Sequence, residues 1–324
     1  SPALSIGQQE FIRQWINAGA PKTGVVAADS LLDDTTHFPT LDFTPLAAPA
    51  AGTGYQLSSG TFNVAPNFER EIFVYRDLGN STPIYVNRIH TKMRSNSHHL
   101  VLYGFDPSTP NSQLPAFNKV RDLRNPDGSY NATTQSQMNW HLFIAGSMIQ
   151  EDEYNFPAGV ALELPAHAGI DFNTHFLNYS PNTIPAECYA NFYNADPASI
   201  QHLAQSLFLV NTDIKLPAHK QTILTQVNPN LNSEPMRVFL LTSHFHERGQ
   251  KFQIAINGGS RNGEVVYESS DWAHPLEKTF DPPIVLNKGE GLRTIVTYMN
   301  TTDQEINFGF TSKDEMNVVF GYYY

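Results

Sequence analysis

The apolar positions divide the chain into three stretches. Over residues 5–20 they recur at helical spacing: Phe11, Ile12, Trp15 and Ile16 form one stripe, Ser5 and Gln8 stand at capping-box spacing, and Gly19 followed by Pro21 ends the run. This predicts a helix. From 22 to 54 the chain is rich in Ala, Pro, Thr and Asp without a sustained period, which predicts an extended linker lying over a surface. From Tyr55 onward, short runs of Val, Ile, Phe, Tyr and Thr alternate with Pro, Gly, Asn and Asp. Such runs occupy 71–75, 84–90, 100–105, 160–164, 170–177, 207–214, 238–245, 252–256 and 318–324. Spacing of this kind predicts an all-β protein of two antiparallel, jelly-roll-like β-sandwich domains behind an N-terminal helix and linker. The loop-rich stretch 180–197 is the natural divide, giving a helix and linker over 1–54, a first domain over 55–185 and a second over 186–324.

Composition narrows the functional classes. The 324 residues exceed a single core of ordinary size. Acidic residues outnumber basic ones by 31 to 20, for a formal charge of -11, which argues against a nucleic-acid partner. Cys188 is the only cysteine, so neither an internal disulfide nor a CxxC zinc or CxxCH haem site is expected. No apolar run reaches the roughly 18–20 residues of a membrane span, and no signal-like segment opens the chain. We therefore expect no membrane span and an export signal already removed.

Candidate chemistry lies in the twelve histidines. On a strand, His244 and His246 would share a face with Thr242, presenting two imidazoles to one point. The alternative is a pair of hydrogen-bonded structural histidines. His98 and His99 are adjacent, so both reach one metal only at a bulge or through different ring nitrogens. His175 ends a strand-like run, and Met316 lies in a polar turn before the last apolar run; alone, each reads as structural. His37, His90, His141, His167, His202, His219 and His274 show no paired spacing and are assigned to structural or surface positions.

Together, four ordered blocks resemble the copper type II, ascorbate-dependent monooxygenases, the family of peptidylglycine α-hydroxylating monooxygenase and dopamine β-monooxygenase. They are His98-His99-Leu100-Val101-Leu102-Tyr103-Gly104-Phe105, Phe156-Pro157-Ala158-Gly159-Val160 with His175-Phe176, His244-Phe245-His246-Glu247-Arg248-Gly249, and Ser312 to Met316 with the closing Tyr322-Tyr323. The resemblance spans roughly residues 55–324. It implies two coppers per chain: an electron-relaying one on His98, His99 and His175, and a catalytic one on His244, His246 and Met316, whose thioether favours Cu(I). It also implies hydroxylation of an sp³ C–H bond by dioxygen, with ascorbate or another one-electron donor, and a periplasmic or secreted location.

This chain departs from the peptide-processing members at the substrate site. Thr242 stands where they carry a carboxylate-anchoring Arg, and Val318 and Phe320 replace Asn and Tyr. A small, apolar organic substrate is expected instead, with Thr242, Val318 and Phe320 lining its pocket. The first helix also resembles the last helix of small c-type cytochrome domains, which implies a fragment of a longer product and a possible cytochrome c-type electron donor; an ordinary helix covering a sheet edge is the alternative. Two other functions compete. One is a non-catalytic copper-binding or electron-transfer protein; the other is a cupin-type iron oxygenase using His244, His246 and Glu247, which leaves Met316 unexplained.

Overall fold

The structure is a computed structural model that describes residues 4–36, 43–311 and 313–324, so His37 and Ser312 lie outside the described residues. The expected first helix runs Ile6–Asn17. Ser5 accepts the Gln8 N–H while the Gln8 side chain accepts the Ser5 N–H, completing the capping box. Gly19, at φ 85°, follows its end. The helix packs mainly against the 3-10 turn Asp29–Asp33 rather than along a sheet edge, and Ile12, Trp15 and Ile16 stay exposed.

Everything from Gly54 onward is organised by β-strands, as the short apolar runs between turn residues predict. In the first half, Gly54–Ser58, Cys188–Asn194, Ile84–Met93 and Val160–Leu164 lie side by side. They close over a second sheet in the order Val120–Asp122, Phe68–Asp77, Gly169–Asn178, Ser97–Phe105, His141–Ser147. Val86, Ile89, Leu102, Ile170 and Phe172 from the two sheets form one core. The second half repeats the plan: His202–Val210, Val318–Tyr323, Met236–His244 and Lys278–Leu286 close over Lys220–Pro229, Gly291–Asn300, Gly249–Asn257 and Val265–Ser269. Its own core gathers Val238, Leu241, Phe252, Leu292 and Val296. The protein is thus an all-β pair of sandwiches.

Two features differ from the sequence reading. Cys188–Asn194 pairs with both Gly54–Ser58 and Ile84–Met93, so first-half strand pairing runs past position 185 and the crossover falls between Asn194 and His202. A second helix, Ala132–Met138, also forms, with its N-terminal N–H groups capped by Asn131.

The two halves are joined by more than a linker. His202–Ala204 pairs in parallel with Val160–Leu162, which fuses one sheet from each half into a continuous ladder. Phe239, Leu240 and Tyr322 of the second half belong to the first half's core. The Tyr322 hydroxyl donates to the Ile144 carbonyl and the Tyr154 hydroxyl donates to Glu277 Oε1 at 2.6 Å. Phe143 meets Phe320 at 4.7 Å and Phe156 meets Phe239 at 5.5 Å between ring centroids. Burying one Phe is worth about 1.5–3 kcal/mol, so prising apart a joint that holds several would cost a large share of a domain's net stability.

Candidate metal centre

His98, His99 and His175 come from neighbouring strands of the first half. Pairing places His175 opposite His99 and Phe176 opposite Ser97, leaving His98 as the extra residue of a β-bulge. That bulge lets two consecutive imidazoles turn to one point. One nitrogen from each of the three rings falls within 4.8 Å of the others. The unpartnered, buried nitrogens are His98 Nε2, His99 Nδ1 and His175 Nε2, so the adjacent pair offers different ring atoms as well as a bulge. Glu69 Oε1 lies 2.8 Å from His175 Nε2 but out of line for a hydrogen bond.

The opposite edge of His99 is held. Its Nε2 sits 3.0 Å from Asn173 Oδ1, and the Asn173 amide in turn donates to Glu71 Oε1 at 3.0 Å. Burial pushes the Glu71 carboxyl up, but the neighbouring His99 and His175 rings and the Asn173 amide more than offset this and hold it at about 2. A buried carboxylate therefore stands behind the three imidazoles. Three inward lone pairs without donors, backed by a buried anion, fit a bound cation.

The second set is assembled at the end of the strand Met236–His244. Thr242 pairs with Phe320 and His244 with Val318 on the neighbouring strand, so these four residues share one stretch of wall. His246 lies just past the strand, and its Nε2 is 3.2 Å from His244 Nε2. His246 Nδ1 is 3.1 Å from the Asp314 carbonyl, which can only accept; Nδ1 thus carries the proton and Nε2 presents a lone pair to its neighbour. Glu315, fully buried, accepts from the backbone N–H groups of His246, Arg248 and Met316, and the Tyr298 hydroxyl donates to the Met316 carbonyl at 2.7 Å. These bonds tie the methionine segment to the histidine turn.

Both sets open on one cavity of ≈ 740 Å³ between the halves, whose wall includes His99, His175, His244, His246 and Met316. The cavity also receives Thr242, Val318 and Phe320. No Lys or Arg is among its described lining residues. Across the halves, the His99 and His244 ring centroids are 5.8 Å apart and those of His98 and His244 6.2 Å. Trp272, from the second half, covers His98 at 5.8 Å. Burial and then repulsion from neighbouring imidazoles lower the His98 pKa to about 2 and that of His244 well below the usual range. Burial likewise lowers His246 to about 4. All three rings are neutral near pH 7, the form that binds metals.

Four of the remaining histidines have other partners. His141 contacts Asp171 Oδ2 at 3.0 Å and stacks on Tyr103; His90 meets Glu151, His202 stacks on Tyr324, and His219 pairs with Asp303. Glu247 turns towards Arg248 and is not among the cavity's lining residues, so it supplies no carboxylate beside His244 and His246. Sequence reasoning assigned no role to Glu71, Asn173, Trp272 or Glu315. Glu71 and Asn173 lie on strands that carry several other polar residues, so nothing in the local sequence singles them out.

No protein-family model matches the chain, and no curated protein matches it. Among solved structures it is similar to the major capsid protein P2 of bacteriophage PM2, at 7% identity and TM-score 0.29, over 79% of this chain and 97% of that one. A Sulfolobus turreted icosahedral virus structure aligns at 9% identity and TM-score 0.24, over 82% and 59% of the two chains. A Macrobrachium rosenbergii nodavirus structure aligns at 13% identity and TM-score 0.19, over 93% and 97%. Likeness at this level says nothing about what the site does. No helix among the described residues is long and apolar enough to cross a membrane.

Proposed function

We propose that the chain is a copper-dependent monooxygenase that hydroxylates an sp³ C–H bond of an apolar organic molecule with dioxygen and an external one-electron donor, such as ascorbate or a c-type cytochrome, in the periplasm or outside the cell. The observation that supports this most is the meeting of four buried imidazoles, His99, His175, His244 and His246, and a methionine at one cavity, with the buried His98 ring packed against His99, His175 and His244. Imidazole serves copper in both oxidation states, and a thioether favours Cu(I). Copper held here would supply the redox capacity for the overall change R–H + O2 + 2 e⁻ + 2 H⁺ → R–OH + H2O.

The chain's own residues bind, orient and exclude. Asn173 and the Asp314 carbonyl each hold one ring nitrogen of His99 and His246, which fixes the tautomer and turns the other nitrogen inward. Glu315 keeps the Met316 and His246 backbones in register. Val318 and Phe320 give the substrate an apolar wall, and Thr242 adds a hydroxyl to it. A cavity of ≈ 740 Å³ is ample for a small molecule. With no described cation in that wall, a substrate carboxylate would lose its hydration without compensation, so glycine-extended peptides are poor candidates.

The test is aerobic incubation of the copper-loaded chain and ascorbate with a panel of apolar small molecules, read by mass spectrometry. A product heavier by one oxygen supports the proposal. Two bound coppers, reductant consumption and no oxygenated product from any of the panel would favour the copper-binding or electron-transfer alternative.

A further inference from the structure

Resting on that copper reading, we propose that the two histidine sets are halves of one dinuclear centre, in which two coppers bound at the same time stand in direct magnetic contact, and that the sandwiches are locked in this arrangement rather than hinged. Ring spacing is the first support. Within the first set the centroid separations are 5.2, 5.3 and 5.4 Å, and within the second 5.0 Å. The two separations across the halves, 5.8 and 6.2 Å, are only slightly longer. A metal sits about 2.0 Å from each nitrogen that binds it, so ions held by rings this closely gathered share one chamber.

The second support is the joint itself. Separating the sets requires breaking the parallel ladder at Val160–Leu162, the Tyr322 bond to Ile144, the Tyr154 bond to Glu277 and the Phe143–Phe320 contact together. Trp272 would also have to leave His98. A third support is charge: Glu71 and Glu69 stand behind the first set and Glu315 beside the second, so that acidic groups lie next to the rings and offset part of the charge of cations brought together.

Cu(II) added stepwise to the metal-free full chain provides the test, with bound copper measured by elemental analysis after desalting and unpaired spins by electron paramagnetic resonance. At two coppers per chain, the spectrum is expected to depart from the sum of two isolated ions: a half-field transition appears, or the integrated intensity falls below half of the bound copper. Two bound coppers giving two full, additive spins without a half-field signal would overturn the proposal, as would a chain that never takes up a second copper. The outcome is separable from the reaction. Additive spins together with an oxygenated product would remove the dinuclear centre and leave the monooxygenase standing; a coupled pair with no product would do the reverse.

Discussion

The ring of His99 in the first sandwich lies 5.8 Å from that of His244 in the second, although 145 positions of chain separate their numbers and each belongs to a different sheet system. Strand pairing explains each position locally: His99 sits opposite His175, and His244 sits opposite Val318. Their approach is set by the joint between the sandwiches.

Met316→Leu keeps most of the volume and apolar character, so the fold should lose less than about 1.5 kcal/mol. Cu(I) affinity at the His244–His246 set should fall, while the first set keeps its copper. X-ray absorption of the Cu(I) form should show sulfur scattering in the parent and none in the variant. A parent spectrum without sulfur would return Met316 to a packing role.

Asn173→Leu removes the acceptor that holds His99 Nε2 and the donor to Glu71. Loss of such an outer partner typically lowers metal affinity about 10–100-fold. Chelator competition should show this at the first set alone. Equal affinity in parent and variant would mean that burial by itself orients His99.

In Glu315→Gln one carboxylate oxygen becomes an amide that faces backbone N–H groups it cannot accept from. The fold should lose about 1–3 kcal/mol, the usual effect of a buried donor left without a partner. Denaturant unfolding of the metal-free chain measures it, and a loss smaller than the experimental error would show that water replaces the bond.

Glu277 supplies a pH signature from a residue that is not itself a candidate ligand. Burial and then the nearby Asp152 charge raise its carboxyl to about 8, against 4.5 for the ordinary group. The folded chain therefore holds a proton that the unfolded chain has released between these values, so its contribution makes stability fall as pH rises from 4.5 towards 8. Glu277→Gln should flatten that slope in thermal unfolding of the metal-free protein. An identical slope in both would assign the pH dependence to other groups.

Much of this was legible in the sequence, for definable reasons. Short runs of β-branched and aromatic residues between turn residues marked the strands, and the Ser5–Gln8 pair marked the first helix, because both patterns are local. The adjacent His98 and His99 required a bulge or different ring nitrogens to meet at one point, and the structure has both. Thr242, Val318 and Phe320 were placed on the pocket by resemblance, and cross-strand pairing sets them on one wall. The helix Ala132–Met138 was missed because its seven residues are mostly polar and carry no apolar stripe. The strand Cys188–Asn194 was hidden in a segment whose Asn and Pro content reads as loop. The closeness of His98 and His99 to His244 depends on long-range packing, which no local period encodes.

The most direct test of the central claim is incorporation of isotopically labelled dioxygen by the copper-loaded chain in the presence of a one-electron donor and an apolar substrate. One labelled oxygen is expected in the product, with the label lost in His246→Ala and in the metal-free chain. An unlabelled product, or oxygenation that proceeds equally in the variant, would contradict the assignment of catalysis to this centre.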